Sequence, residues 1–294
     1  MKTSKQLKSR MIKWVSITIV LASCLMVLPS WNLVKAEKPF NLLCYNLRYD
    51  NPKDGINTWN NRKHFISDMI KFYDIDLLCV QEALHNQLND LLKEAPDLSF
   101  VGVGREDGNT KGEYAAILFN KKRFQLVNSG NFWLSENPET PSLGWDATCI
   151  RICSWAEFKP IDGSKSFFVF NTHFDHVGEI ARLESAKLIV KKVTGIAKNS
   201  PVIITGDFNT TPETEPIKTI TETFNDTYSS SLQKHYGPEG TWNAFDYQSP
   251  LDTRIDYCFA SKHLEVLKHA HLDDARDGRF HSDHLPVFVK LFVR

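Results

Sequence analysis

The residues best suited to chemistry stand where apolar runs stop. Residues 202–205 are β-branched throughout and give way to Gly206, Asp207 and Asn209. In extended chain, residues i and i+2 share a side, so Asp207 and Asn209 would project together from a strand end beside a glycine that permits close approach. The pattern recurs. Residues 40–45 end at Asn46, 75–80 at Gln81-Glu82, and 167–170 at Asn171-Thr172-His173-Phe174-Asp175; Ile255 is followed by Asp256, and His281-Ser282-Asp283-His284 precedes the last apolar run. A turn or a cap accounts for any one of these endings, because turns favour Asp, Asn, Gly and Ser. Glu82, His173 and His284 have no such role, and ligands gather where strand ends converge. Convergence would place Glu82, Asp175, Asp207, Asp256 and Asp283 in one cleft with two or three histidines. Five carboxylates stay ionised together only around a cation. Oxygen donors with few thiolates select a hard divalent ion, Mg²⁺ or Mn²⁺. Phosphoester hydrolysis uses these parts best: a cation to polarise a phosphoryl oxygen, a carboxylate to align or deprotonate water, a histidine to offer a proton near neutral pH.

The elements that would carry these residues are strand-like runs at 40–45, 75–80, 114–119, 150–158, 167–170, 202–205, 255–260 and 286–293. Between some of them lie helical stripes. One is Phe65, Ile66, Met69, Ile70 and Tyr73, with Arg62, Lys63, Asp68 and Lys71 read on its opposite, polar face; the others are Leu84, Leu88, Leu91, Leu92 and Ile180, Leu183, Ala186, Val190, Val193. Three helices are too few to cover both faces of one parallel sheet of this size, so stacked sheets with helices outside are expected.

The chain opens with five basic residues and then runs uncharged and apolar from Trp14 to Leu28, an n-region and h-region of an export signal. Cleavage after Ala36 is expected, with a lipoprotein box ending at Cys24 as the alternative. The first 36 residues carry six of the 35 basic and none of the 35 acidic residues, which leaves 29 against 35 and a formal charge of −6. Such a chain is no general polyanion binder, because non-specific nucleic-acid affinity comes from neutralising phosphates. Residues 37–294 contain no linker, repeat or low-complexity run, so a single catalytic domain without a membrane span is expected. Cys44, Cys79, Cys149, Cys153 and Cys258 read as free thiols, mostly buried, and not as a disulfide framework.

Asn46, Gln81-Glu82, His173, Gly206-Asp207-Phe208-Asn209, Arg254-Ile255-Asp256-Tyr257 and Ser282-Asp283-His284 stand in the order found in the endonuclease/exonuclease/phosphatase, or DNase I-like, superfamily. The chain resembles its compact bacterial members, and more distantly the carbon-catabolite-repressor and nocturnin-type deadenylases. That resemblance implies an α/β four-layer sandwich of two packed mixed β-sheets flanked by helices. It also implies cleavage of a phosphoester with one or two Mg²⁺ or Mn²⁺ ions. On the same resemblance, Glu82, Asn46 and Asp283 would hold metal and Asp207 would orient or activate the nucleophile. Asn209 and His173 would hold the phosphate, Asp256 would help position His173 or the leaving group, and Asp283 would fix the tautomer of His284, which acts on the phosphoryl group or the water.

Asp175 and Arg182, outside that shared core, and Arg254 within it are expected at the substrate, the two arginines as a phosphate clamp. Trp59, Trp133, Trp145 and Trp242 are expected as loop anchors or as rings that cover a base or sugar. The substrate is expected to be a phosphorylated small molecule or a short single strand of nucleic acid, and the protein a monomer without an obligate protein partner. Two rival readings remain. His173-Phe174-Asp175-His176 resembles the tail of the His-x-His-x-Asp-His motif of binuclear zinc hydrolases, although its first histidine is replaced by Asn171. A catalytically silent binder of phosphorylated ligands is the other, and such relatives usually lose a carboxylate or histidine that is present here.

Overall fold

The computed structural model describes residues 38–294; the expected export signal over residues 1–36, with Cys24, lies outside the described residues. In chain order the strands are β1 (Phe40–Asn46), β2 (Leu77–Ala83), β3 (Leu98–Val101), β4 (Tyr114–Asn120), β5 (Phe124–Trp133), β6 (Ile152–Pro160), β7 (Phe167–His173), β8 (Val202–Asp207), β9 (Asn225–Asp226), β10 (Asp256–Ala260), β11 (Leu264–His271), β12 (Ala275–Arg276), β13 (Arg279–Phe280) and β14 (Val287–Val293). The helices are α1 (Trp59–Phe72), α2 (His85–Glu94), α3 (Glu179–Ala197), α4 (Glu215–Thr221) and α5 (Thr227–Ser230). Two six-stranded sheets form, in the orders β11-β14-β1-β2-β4-β3 and β5-β6-β7-β8-β10-β9. Each is mixed, since β1–β2 and β7–β8 pair in parallel and the neighbouring ladders are antiparallel.

Alternation along the strands builds the layers. Phe40, Leu42 and Cys44 of β1 meet Phe167, Val169 and Ile203 of the other sheet in a central apolar layer. The intervening Leu43 and Tyr45 turn outward against Ile66, Met69 and Ile70 of α1 and Leu88 and Leu91 of α2. On the far side, Phe168, Phe170 and Ile204 pack on Ala186, Ile189 and Val193 of α3 and on Ile217 and Ile220 of α4. The result is helix, sheet, sheet, helix. Each buried aliphatic or aromatic side chain contributes about 1.5–3 kcal/mol, so the two-sided pattern of these strands fixes both the sandwich and the faces its helices cover.

Two helix faces differ from expectation. Arg62 is buried, not solvated: it stands four residues before Ile66 and seven before Met69, which puts it on the apolar stripe. Helix α3 packs through Ala181, Ser185, Ala186, Ile189 and Val193, while Ile180 is exposed, because small residues let the helix lie close to the sheet. Among the described residues the five cysteines are free, and all but Cys149 are buried. No helix among them is long and apolar enough to cross a membrane.

Candidate active site

The sheets bring the polar strand ends together at one mouth of the sandwich. On β8, Ile203 faces the central layer, and Thr205 and Asp207, two and four residues further along, continue that face. Register sets Asp256 of β10 opposite Asp207 and His173 of β7 beside it, so three adjacent strands end in a row of His173, Asp207 and Asp256. From the opposing sheet, the Asn46 amide reaches across to donate to Asp207 Oδ2 at 2.9 Å and to Glu82 Oε1 at 3.0 Å. Gly206 makes this row possible, because a Cβ there would run into the Thr172 backbone carbonyl on β7. A polar bolt lies just behind: the buried Asn171 amide donates to the Val80 and Ala116 carbonyls and its oxygen accepts from Gln81 Nε2 at 2.6 Å.

Strict alternation would send Glu82 to the helix side with Val80. The β2–β4 register slips between Val80 and Ala83, and Glu82 takes φ 59°, so the bulge turns its carboxylate into the mouth. Arg48 (φ 55°) and Asn209 (φ 49°) are likewise left-handed at strand ends. Non-glycine residues held there cost on the order of 1–3 kcal/mol each, a strain that collects at functional sites. Buried Arg62 supports this arrangement by donating to the carbonyls of Leu47 and His281, at 2.8 and 2.7 Å, and to that of Arg48 at 3.2 Å. It thereby ties the β1 exit to the loop that carries Asp283 and His284.

Asp256, not Asp283, orients His284. Its Oδ2 accepts from His284 Nδ1 at 2.8 Å, while Asp256 is itself held by a backbone hydrogen bond to Thr241 Oγ1 at 3.1 Å. His284 Nε2 then points at Asp207 Oδ2, 3.8 Å away. Burial disfavours the imidazolium, yet Asp256, Asp207 and Asp283 together raise the His284 pKa well above its ordinary value. Burial, then the neighbouring Asp256 charge, push Asp207 up to about 7. Asp283 faces Arg48 and Glu82 instead: Arg48 Nε lies 3.8 Å from Asp283 Oδ2, and its Nη1 4.0 Å from Glu82 Oε2. Burial raises the Asp283 pKa, and the Glu82 charge adds to it.

His173 is positioned by Asn209 and Asp207, not by Asp256. Asn209 Nδ2 meets His173 Nε2 at 3.0 Å, and the Asn209 backbone N–H donates to Asp207 Oδ1 at 2.9 Å. Burial, with the Arg151 and Arg105 charges, holds the His173 pKa well below its ordinary value. A neutral ring that accepts at Nε2 carries its proton on Nδ1.

The expected clamp is corrected. Arg254 donates to Asp226 at 2.7 Å and lies between the Tyr228 and Tyr257 rings, so its charge is already matched. Arg182 donates to the Asp175 carbonyl. Asp175 accepts from the backbone N–H groups of Thr148, Cys149, Val177 and Gly178 and pairs with Arg151, which makes it a loop anchor. The arginines that bear on His173 are Arg105 and Arg151, both absent from the expected set; Arg151 Nη1 is buried without a partner. Their signal in the sequence is faint, a charged residue at or just beyond the end of an apolar run. The zinc reading fails on contacts as well: Asn171 is a structural bolt, and the Asp175–His176 pair already holds the Arg151 guanidinium, 3.0 Å from His176 Nδ1. Trp59 and Trp133 are buried anchors whose indoles donate to Asp90 and the Arg105 carbonyl, whereas Trp242 is 44% exposed and bridges to His284. Trp145 is half-buried.

A divalent cation fits this mouth. Asp207, Asp256 and His284 each offer a ligand atom within 4.8 Å of the others, all three buried. Glu82, Asn46 and Asp283 add oxygen donors alongside. Asp256 Oδ1 is buried without a partner, a sign of negative charge short of a counter-ion.

The chain matches the model of the Endonuclease/Exonuclease/phosphatase family over residues 41–284. A solved endonuclease/exonuclease/phosphatase family protein from Bacteroides thetaiotaomicron is 37% identical, covers 88% of this chain and 99% of its own, and has a TM-score of 0.85. The mannosyl-6-phosphatase of Bacteroides thetaiotaomicron VPI-5482 is 38% identical over 86% of this chain and 99% of its own, with a TM-score of 0.82. A probable RNA exonuclease of Saccharomyces cerevisiae is 32% identical over 184 residues, 56% of this chain and 34% of the relative. Like one Acanthamoeba polyphaga mimivirus relative, of which 37% is covered, it is about three times the matched length. Family model, full-length structural neighbours and the converged strand ends agree: the chain belongs to the endonuclease/exonuclease/phosphatase family, whose members hydrolyse phosphoester bonds and use divalent metals.

Proposed function

We propose that this chain is an exported, Mg²⁺- or Mn²⁺-dependent phosphoester hydrolase that acts on small soluble phosphomonoesters, sugar phosphates first among them. The observation that carries the reading is the cross-sheet cluster of Asn46, Glu82, Asp207, Asp256 and His284, held by hydrogen bonds of 2.8–3.0 Å. Glu82, Asn46 and Asp283 would hold the cation, which when bound supplies positive charge to the phosphoryl oxygens. Asp207, with its pKa near 7, takes a proton from the attacking water as that water bonds to phosphorus and the bond to the leaving oxygen breaks. His284, kept protonated by Asp256, donates a hydrogen bond to the oxygens as charge builds, while Asn209, whose amide donates to His173 Nε2 and the Phe174 carbonyl, holds the His173 ring in place beside them. Arg151 and Arg105 add positive potential behind His173. The sugar-phosphate preference draws on the mannosyl-6-phosphatase relative and on the formal charge of −6 over residues 37–294, which disfavours long polyanions. The RNA exonuclease relative and the exposed Trp242 ring favour a second reading, a short single strand with a base stacked on Trp242.

The test is a panel of mannose 6-phosphate, glucose 6-phosphate, p-nitrophenyl phosphate, its bis ester and oligoadenylate, each with Mg²⁺ or Mn²⁺. Metal-dependent phosphate release, lost in Glu82→Gln and greatest on sugar phosphates, is expected. Turnover of oligoadenylate alone would select the second reading. Failure on every substrate, with metal demonstrably bound, would leave a silent binder. Export draws on the basic and apolar N-terminal pattern, and the secreted chain is expected to begin at Glu37 by mass; a diacylated Cys24 would overturn that cleavage.

A further inference from the structure

We propose that His235, His269 and His271 form a second cation site, of a kind that takes Zn²⁺, which rivets the segment leading to the catalytic loop onto β11. His269 and His271 stand two apart on edge strand β11, on the face turned away from α1, and the 231–240 segment folds over them. One ring nitrogen of each histidine lies within 4.8 Å of the other two, and the ring centroids are 4.6–5.1 Å apart.

Hydrogen bonds set the tautomers. The Pro238 carbonyl accepts from His235 Nε2 at 3.0 Å and from His271 Nδ1 at 2.8 Å, which fixes a proton on each of those nitrogens. The lone pairs therefore sit on His235 Nδ1 and His271 Nε2. His235 Nδ1 faces His269 Nδ1 at 2.8 Å, and His271 Nε2, on a residue with no exposed surface, has no partner. A buried acceptor left unsatisfied is costly, and a cation shared with the other two rings would satisfy it. Ligand histidines anchored by the opposite nitrogen to a carbonyl are the usual outer-shell arrangement, and three imidazoles without carboxylates select a borderline-soft ion over Mg²⁺. On binding, the proton on His269 Nδ1 moves to its other ring nitrogen. Burial holds all three histidines neutral, as ligands must be. Arg254, whose charge bears on all three rings, is matched by Asp226.

The backbone around the rings is built for closeness. Gly237 takes φ 98°, and a Cβ there would strike the His271 carbonyl. The Tyr236 N–H donates to the His269 carbonyl and the Tyr236 carbonyl accepts from the His271 N–H, and the Tyr228 ring packs at a tilt on His235 at 4.4 Å. From Pro238 the chain runs within three residues to Thr241, whose hydroxyl holds the Asp256 backbone, and then to Trp242 beside His284. A cation at the three rings would act at a distance, as a positioning device.

The full chain, stripped with chelator and dialysed into excess Mg²⁺, is titrated with ZnCl₂ and read by bound metal per chain and thermal shift. One tight Zn²⁺ per chain is expected in wild type and in Glu82→Gln. His235→Ala, on the partly exposed loop where folding is least at risk, is expected to weaken it by ~100-fold or more, and His271→Gln likewise. Co²⁺ in place of zinc should give the strong visible absorption of a four-coordinate nitrogen site in wild type, lost in His235→Ala. No zinc retained by folded wild type, or zinc lost in Glu82→Gln but kept in His235→Ala, would overturn the proposal.

Discussion

The same strands build two unlike ends of the sandwich. At one end, β1 begins with Phe40 and β7 with Phe167, stacked at 4.9 Å, and Phe124 and Phe158 close around them in edge and tilted contacts. At the other end, the same two strands finish in Asn46 and His173, among carboxylates, with left-handed backbone at Arg48, Glu82 and Asn209. The aromatic end satisfies itself. The polar end gathers like charges and strain that only a ligand would relieve. Stability is thus concentrated at one end and held in reserve against function at the other, the trade expected of a binding mouth.

Substitutions can break that division. The largest effect is expected at the mouth: Glu82→Gln or His284→Ala should lower phosphate release by about 10³-fold or more, in the range of a lost acid-base group or metal ligand. The metal-free melting temperature should stay level or rise in Glu82→Gln, which relieves like-charge crowding, and fall in His284→Ala, which leaves the buried Asp256 and Asp207 carboxylates without their partner. Mg²⁺ should raise the melting temperature of wild type and not of Glu82→Gln. A mutant that loses activity by unfolding would break the comparison. At the aromatic end, Phe167→Ala should cost about 3–5 kcal/mol in denaturant unfolding and leave kcat at 25 °C within about twofold of wild type. A large kcat loss there would mean that the two ends are coupled.

A third test sharpens what burial of polar groups costs away from the mouth. Burial, then the His235 charge, depress the His271 pKa to about 3, below its unfolded value, and His269 and His235 are lowered too. The stability they contribute is complete above about pH 6.5 and is lost as pH falls toward 3, because the unfolded chain then binds the extra protons. His269 and His271, the two buried rings, should each take up to about 1.4 kcal/mol per pH unit from the chelated protein, and His271→Phe should flatten that contribution. A pH dependence of stability between 7 and 4.5 that is the same in wild type and His271→Phe would contradict it. The smallest effect is expected from Trp242→Ala, about a three- to tenfold rise in KM with little change in kcat if the ring covers the substrate. An unchanged KM would place the substrate elsewhere along the mouth.

The strands legible in the sequence were the inner ones. The apolar run of residues 202–205 became β8 and that of 40–45 became β1, each covered on both faces. Edge strands β3, β5, β9 and β11 were not read: Gln125, Asn128 and Ser129 on β5, and Glu265, Lys268 and His269 on β11, break the pattern because an edge has one neighbour and a wet side. Helix α4, seven residues long, gave too short a period to detect.

The sequence by itself determined the two-sheet sandwich, its inner strands and the polar residues at their ends, because alternation and burial are properties of neighbouring residues. Tertiary structure alone decided which of those residues meet. It set Asp256 rather than Asp283 on His284, turned Glu82 inward through a one-residue bulge, buried Arg62 behind the mouth and spent Arg254 on Asp226. Such pairings depend on register across sheets and on charges far apart in the chain, and no local spacing encodes them.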